Sequence, residues 1–376
     1  MMTYLDYASH TPASEAVLET FFDTERRFIG NPMSAHQAGH MAQRELTRIT
    51  QGIARLLQVK PSEIIFTSGA TEANNLAVKG IARAYGYQGK HILSTCLEHP
   101  SVSGALAALQ EVGYEIELLK ILPDGSIDLS HLESAIRPDT ILVCVSAVDS
   151  ELGAIQPIAE ISKIVAPHSH CHLHIDAAQA MGKLPVNMHE SSTMCFSPHK
   201  FYGLCGSGVL VKRDGVVLEP LVHGGTAASI YRSGTPALGL AAACHKALEL
   251  ALSSQTLWLE KVTILRAHAI RSLIKYPLVR INSPATGSPY IINLSVKGIK
   301  AEIFTAELDK HGICVSIKSA CSTDKAPSRP VLAVSKDRQN ALSSWRVSFG
   351  HMTETADIDG FLAAFDICYH KHLKKT

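Results

Sequence analysis

The 376-residue sequence has almost no net charge, with 35 Lys and Arg against 34 Asp and Glu. That balance, with a pI near 7.7, gives no global field to draw in nucleic acid or an anionic membrane, so neither is expected as a direct partner. Also absent is any uninterrupted apolar run of about 18 residues. The N-terminus, Met1-Met2-Thr3-Tyr4-Leu5-Asp6-Tyr7, has no basic segment followed by an apolar core. A membrane span and a secretory leader are therefore not expected, and a cytoplasmic location is. Nine cysteines form no Cys-x-x-Cys pair and no even framework, which excludes a disulfide scaffold and leaves reduced thiols. Repeats and low-complexity tracts are missing too, which excludes solenoids and fibres.

What is present suits a large soluble core. Hydrophobic residues make up 46% and charged residues 18%, enough for a globular chain of two domains. Apolar runs alternate with helical patterns, which predicts an α/β fold with a mainly parallel sheet covered by helices. The expected strands cover residues 63–66, 91–94, 116–119, 140–146, 172–175 and 208–212, with helices over 72–84 and 102–110. A helical tract from Leu238 to Leu252 follows Gly234-Thr235-Pro236, where the organisation changes to longer helices with a few strands such as 290–296.

The most telling residues are Ser197-Pro198-His199-Lys200, read with Asp176 and Gln179. Lys200 follows a short apolar run, Met194-Cys195-Phe196, so its amine is expected at a strand end, where desolvation suits it to Schiff-base chemistry. Asp176 closes the run Leu173-His174-Ile175 and offers a carboxylate to keep a pyridine nitrogen protonated. Together they suggest pyridoxal phosphate.

Other constellations fit a phosphate-bearing cofactor and an amino-acid substrate. Thr67-Ser68-Gly69-Ala70-Thr71-Glu72 places a glycine turn and a hydroxyl between strand and helix, a phosphate cradle or an ordinary helix cap with Thr71 as acceptor. His99 lies beyond a strand end, where it can stack on a ring or move protons. His223-Gly224-Gly225 and Arg232-Ser233-Gly234-Thr235 form polar glycine turns. Arg346, in the alternating segment Ser344–Gly350, is either a bidentate carboxylate clamp or part of a buried ion pair. Cys321 stands apart from the other thiols. It lies in a polar, proline-punctuated segment with Lys318 and Lys325 nearby, expected to be an exposed, mobile loop that favours the thiolate. Alternate histidines in His168–His174 raise a metal site as a lesser reading beside a plain strand, and no metal is expected.

Taken together, these residues resemble the cysteine desulfurases, the NifS/IscS-like branch of class V, fold-type I pyridoxal phosphate enzymes. The resemblance runs through Tyr4-Leu5-Asp6-Tyr7-Ala8, Gly30-Asn31-Pro32, the block Thr67–Asn75, Glu98-His99, the tract His174–Val186, Ser197–Lys200, Arg232–Thr235, Ser319-Ala320-Cys321 and Trp345–Gly350, in the family's order. It implies a large cofactor-binding domain over residues 13–250 and a small α+β domain from residues 1–12 and 251–376 that carries the cysteine loop. Lys200 would hold the cofactor, Asp176 its pyridine nitrogen and Gln179 its phenolate oxygen. Thr71, Ser197 and His199 would hold its phosphate, His99 would stack on the ring, and Ala70 and Ser150 would contact the cofactor. Arg346 would bind the carboxylate of L-cysteine.

The resemblance further implies that Thr235 reaches the phosphate of a neighbouring subunit, hence a homodimer. Cys321 would take the sulfur as a persulfide, with alanine released and His99 as proton relay. An iron–sulfur scaffold or a sulfur carrier for tRNA thiolation would be the acceptor. The sequence departs from the family at Asp149-Ser150, where an asparagine pair is usual, at Ser9-His10, Lys318 and His351. These departures keep open another class V reaction, such as selenocysteine lysis or transamination, or a non-catalytic sulfur-transfer paralogue.

Overall fold

The computed structural model describes residues 2–225, 229–318 and 326–373. Among them are twelve strands: β1 Thr3–Tyr4, β2 Ile64–Thr67, β3 His91–Ser94, β4 Glu115–Leu118, β5 Thr140–Ser146, β6 His172–Asp176, β7 Thr193–Phe196, β8 Gly208–Lys212, β9 Val279–Ile281, β10 Ile291–Val296, β11 Ile313–Cys314 and β12 Ser344–Ser348. Seven of them form one sheet in the order β2-β8-β7-β6-β5-β3-β4. The strands run parallel except β8, which lies antiparallel to both β2 and β7.

β5 explains why the sheet is covered on both faces. Its seven residues are all buried, and a strand apolar on both sides needs a helical layer on each. Side chains alternate accordingly. Val143 and Val145 join a core with Leu173, Ile175 and the helices Gln37–Leu57 and Ile158–Val165. Leu142 and Cys144 join the opposite core with the helices Ala70–Tyr85 and Pro100–Gln110.

A separate core collects around Trp345, Phe304, Phe361 and Phe365, where β10 pairs antiparallel with β9 and β12. The 36-residue helix Leu238–Leu273 connects it to the sheet. Its first half, through Ala251, packs on the sheet core, whereas Val262 to Leu273 enter the second core. The expected tract ended at Leu252 because Ser253-Ser254-Gln255-Thr256 breaks the apolar pattern. The helix continues because that polar stretch merely spans the gap between two buried ends. The N-terminal segment ties the same parts together: β1 pairs with β11, Asp6 bridges to Ser348, and Thr11 N–H donates to the His199 carbonyl at 3.0 Å.

One turn holds sheet, helix and site in register. Gly182 has φ +73°, and a Cβ there would stand 2.9 Å from the Ala251 Cβ and 3.0 Å from Phe201. Gly182→Ala is expected to cost about 2 kcal/mol, from left-handed strain and overpacking together. The measurement is the urea unfolding midpoint, and an unchanged midpoint would show that the turn relaxes freely.

Candidate active site

The parallel strands β3, β5, β6 and β7 end side by side, Ser146 opposite Asp176 and Asp176 opposite Cys195. From β3 the chain goes outward to β4, but from β5 it turns the other way to β6. The loops therefore diverge and leave a crevice at the carboxyl ends of the strands. A cavity of about 340 Å³ opens there, walled by Ala70, Thr71, His99, Ser150, Asp176, Gln179, Ser197, His199, Lys200 and Arg346. Thr235 lies elsewhere. It lines a second cavity of about 690 Å³, and Ser68 and Gly206 form a wall common to both. Cys321 lies outside the described residues.

Lys200 ends a short turn, Pro198–Lys200, directly after β7. Its Nζ donates to the carbonyls of Ala8 at 2.9 Å and Ser9 at 2.7 Å. Gln179 Nε2 donates to the same Ala8 carbonyl at 2.8 Å, while its Oε1 accepts from Lys183 Nζ at 3.0 Å. The turn before Lys200 is braced by the Ser197 hydroxyl. That hydroxyl donates to the Ser207 carbonyl and so accepts from His199 Nδ1, both at 2.8 Å. His199 is held down to about 4 by burial, then by Lys200 and by His10, so it is neutral at ordinary pH and its proton sits on Nδ1.

Asp176 is positioned by a buried network that sequence reading missed. Asn74, fully buried on the helix Ala70–Tyr85, donates Nδ2 to Asp176 Oδ2 and to Ser101 Oγ, each at 2.8 Å. Its Oδ1 faces His174 Nε2 at 2.8 Å, and His174 Nδ1 meets Thr193 Oγ1 at 2.9 Å. Since Asn74 Oδ1 can only accept, His174 carries its proton on Nε2, and burial keeps the ring neutral, down to about 4. The available signal was an asparagine on the apolar stripe of a helix, beside Ala77, Val78 and Ile81 at the spacing of one face.

The same network fixes His99. The Ser101 N–H donates to His99 Nδ1 at 3.1 Å, which leaves the proton of the neutral ring on Nε2. Burial lowers the His99 pKa, with Asp176 opposing and Lys200 adding to the effect.

The helix Ala70–Tyr85 starts at Gly69 with no side-chain cap, so Thr71 is a first-turn residue on the cavity wall and not the capping acceptor. Gly69 is approached closely by Gly208, whose added Cβ would stand 2.7 Å from the Gly69 Cα. Glu72 takes the Ser68 N–H at 2.7 Å and pairs with Arg232 Nε at 2.9 Å.

Arg346 is 1% exposed and answers to both sequence readings. Its Nη2 pairs with Asp6 Oδ1 at 2.8 Å and donates to Ser9 Oγ at 2.7 Å, and Nη1 donates to the Ser150 carbonyl at 2.6 Å. Its Nε has no partner. A buried donor left without a partner, on a residue that lines the cavity, is what an incoming anion would satisfy.

A smaller cavity of about 110 Å³ adjoins, sharing Leu97, His99 and Ser150 with the main one and lined also by Glu98, Asp149 and Glu151. Burial lifts the Glu98 carboxyl to about 7 despite bonds from Ser146 and Thr95. Asp149 is lifted to about 7 by burial and then by Glu151, although its Oδ1 accepts the N–H groups of Glu151 and Leu152. Its Oδ2 is buried without a partner.

The histidine tract divides along its length. His172 packs on the Tyr85 ring at 4.1 Å, His174 belongs to the Asn74 network, and His168 and His170 precede the strand. Among the described residues no group of three or more His, Cys, Asp or Glu side chains is arranged to hold a metal ion. No helix among them is long and apolar enough to cross a membrane.

Residues 3–361 match the sequence profile of the class-V aminotransferases. The chain belongs to that family. As a member, it has the fold of the pyridoxal phosphate enzymes expected from its sequence, and pyridoxal phosphate is the family's cofactor. The NifS/IcsS protein homolog of Lactobacillus delbrueckii subsp. bulgaricus is 37% identical, over 100% of this chain and 98% of its own. Cysteine desulfurase IscS of Dictyoglomus turgidum is 36% identical, over 95% and 91%. A solved NifS-like protein superposes with a TM-score of 0.92 at 30% identity, covering 98% of this chain and 99% of its own.

Asp149 carries a pH signature. A carboxyl whose folded pKa is raised contributes stability below its ordinary range and loses it as the pH rises through the folded value, here about 7. Asp149→Asn keeps the acceptor oxygen and removes the charge. Its stability advantage is expected to be near zero in acid and to widen by up to about 1.4 kcal/mol per pH unit toward neutrality. Thermal melts across pH would check this, and a constant difference would contradict it.

Proposed function

We propose that this protein is a cysteine desulfurase that converts L-cysteine to L-alanine and carries the sulfur as a persulfide on Cys321. The observation that carries this reading is the juxtaposition, in one cavity, of the Lys200 amine, the Asp176 carboxylate and a buried guanidinium with an open Nε. The residues present suit pyridoxal phosphate: an amine for its carbonyl, a carboxylate for its ring nitrogen, and the uncapped start of the helix Ala70–Tyr85, beside Ser197 and His199, for its phosphate. When bound, the cofactor supplies an electron sink for charge that develops at the α-carbon of the substrate.

The chain's own groups do the rest. Asn74 holds Asp176 in place and His174 holds Asn74, so the carboxylate is fixed before any ligand arrives. Arg346 takes the substrate carboxylate through its open edge and thereby orients the α-carbon toward Lys200. Lys200 would move the α-proton, and His99 Nε2 would relay a proton within the cavity that it lines. The Cys321 thiolate would form a bond to the substrate sulfur as the carbon–sulfur bond breaks; the electron pair stays on the substrate β-carbon, which takes up a proton to become the methyl of alanine, and the persulfide is left on Cys321.

The reading extends to assembly and delivery. The protein acts as a homodimer in which Thr235 serves the neighbouring subunit, consistent with its place outside the Lys200 cavity. The division into residues 13–250 and residues 1–12 with 251–376 follows the two cores met by the long helix. The persulfide passes to an iron–sulfur scaffold or a sulfur carrier for tRNA thiolation. The names of the Dictyoglomus and Lactobacillus relatives support the desulfurase reading over transamination.

The test is alanine and sulfide release from L-cysteine, in the presence of a thiol reductant, by the purified, cofactor-loaded protein. Cys321→Ala is expected to lower sulfide release by about 100-fold or more, while the visible absorbance of the cofactor stays. Full turnover in that variant would refute the persulfide route. Arg346→Lys keeps the charge but loses the fork, and the KM for cysteine is expected to rise by roughly 10- to 100-fold. An unchanged KM would assign Arg346 to the ion pair alone.

A further inference from the structure

Lys183 is buried, 5% exposed, in a chain where most lysines reach solvent. It follows β6 by one turn, next to Gly182, and the reaction as described gives it no work. Its Nζ donates to Gln179 Oε1 at 3.0 Å and stands 5.8 Å from the centre of the Tyr290 ring. With Lys200 it borders a small cavity of about 10 Å³, walled by Tyr7, Tyr202, Trp258 and Tyr290. The charged groups that act on it are Lys200 and Arg346, both cations, and burial with these two neighbours brings Lys183 down to about 7.

The Gln179 amide has two ends, and both are committed. Oε1 accepts from Lys183, and Nε2 donates one hydrogen to the Ala8 carbonyl at 2.8 Å. The second Nε2 hydrogen remains for the cavity that Gln179 lines. Turning the amide over would set a nitrogen against the Lys183 donor and an oxygen against the Ala8 oxygen, so both bonds would be lost. Lys183 donates whether charged or neutral, so it holds this orientation across its own titration.

We propose that Lys183 is a positioning residue for the cofactor: it locks the Gln179 amide with nitrogen toward the cavity, so that Gln179 donates to the oxygen on the cofactor ring. This rests on the pyridoxal phosphate reading of Lys200. Donation to the ring oxygen favours its ionised form, so loss of the lock raises the pH at which the bound cofactor changes its visible absorbance.

The experiment is a visible-absorbance pH titration of the loaded protein. Lys183→Met is expected to move the midpoint up by about one unit. Lys183→Arg, which still donates to Oε1, returns most of that shift. In a Gln179→Ala background, Lys183→Met adds none. An unmoved midpoint in Lys183→Met overturns the proposal. So does the same shift in the Gln179→Ala background, which would make Lys183 a source of field alone. If Lys183→Met does not fold, a crystal structure of the loaded wild type decides: Lys183 Nζ out of hydrogen-bond reach of Gln179 overturns it. A wild type that shows no visible band with pyridoxal phosphate would instead remove the reading on which the proposal rests.

Discussion

A guanidinium with 1% exposure has to be neutralised where it stands, and the neutralisation of Arg346 organises the centre of the molecule. Asp6 supplies the charge, Ser9 and the Ser150 carbonyl supply the remaining acceptors, and the strand β12 supplies the arginine. Three distant stretches of chain therefore meet at one cation. Removing a partner from such a buried pair typically costs about 3–5 kcal/mol, because the remaining charge is left without solvent. The N-terminal segment is held in turn. Its Ala8 and Ser9 carbonyls, fixed beside Asp6, are the groups that receive the Lys200 amine.

Around this cation the site separates groups by charge and by proton inventory. Burial keeps His99, His174 and His199 toward their neutral forms, and local bonds assign each ring one donor nitrogen. The same burial acts with the opposite sign on carboxyls, so Glu98 and Asp149 are lifted toward neutrality in the adjoining cavity. Asp176 has a donor on each of its oxygens, Asn74 on Oδ2 and the Ala178 N–H on Oδ1. Solvent exposure alone would not separate Asp176 from Asp149, as both are buried. The distribution of donors over the two oxygens does, since both donors to Asp149 converge on Oδ1 and leave Oδ2 without a partner.

The large sheet was legible because its strands are short apolar runs with sharp polar ends. Residues 91–94, 140–146 and 208–212 are strands over the expected spans. Lys200 and Asp176 were legible for the same reason, since each terminates such a run. Asn74 and Lys183 were not. Their roles depend on which helix face or turn meets which strand, a fact of packing that no local pattern encodes. The long helix was read too short because four polar residues break its stripe, although a helix suspended between two cores needs no stripe at its middle. The segment around Thr71 admitted either a phosphate cradle or a helix cap because hydroxyls commonly cap helices, whereas the chain begins this helix on a bare glycine and leaves Thr71 on the cavity wall.

That suspended helix gives the molecule a mechanical character. At 36 residues it is about 54 Å long, and each end is gripped by a different hydrophobic core. Neither core can melt without freeing one end of the strut and loosening the other, so the two halves share a single cooperative unit. A strain introduced at the Trp345 core would therefore be felt at the sheet, transmitted along a rod and not through solvent.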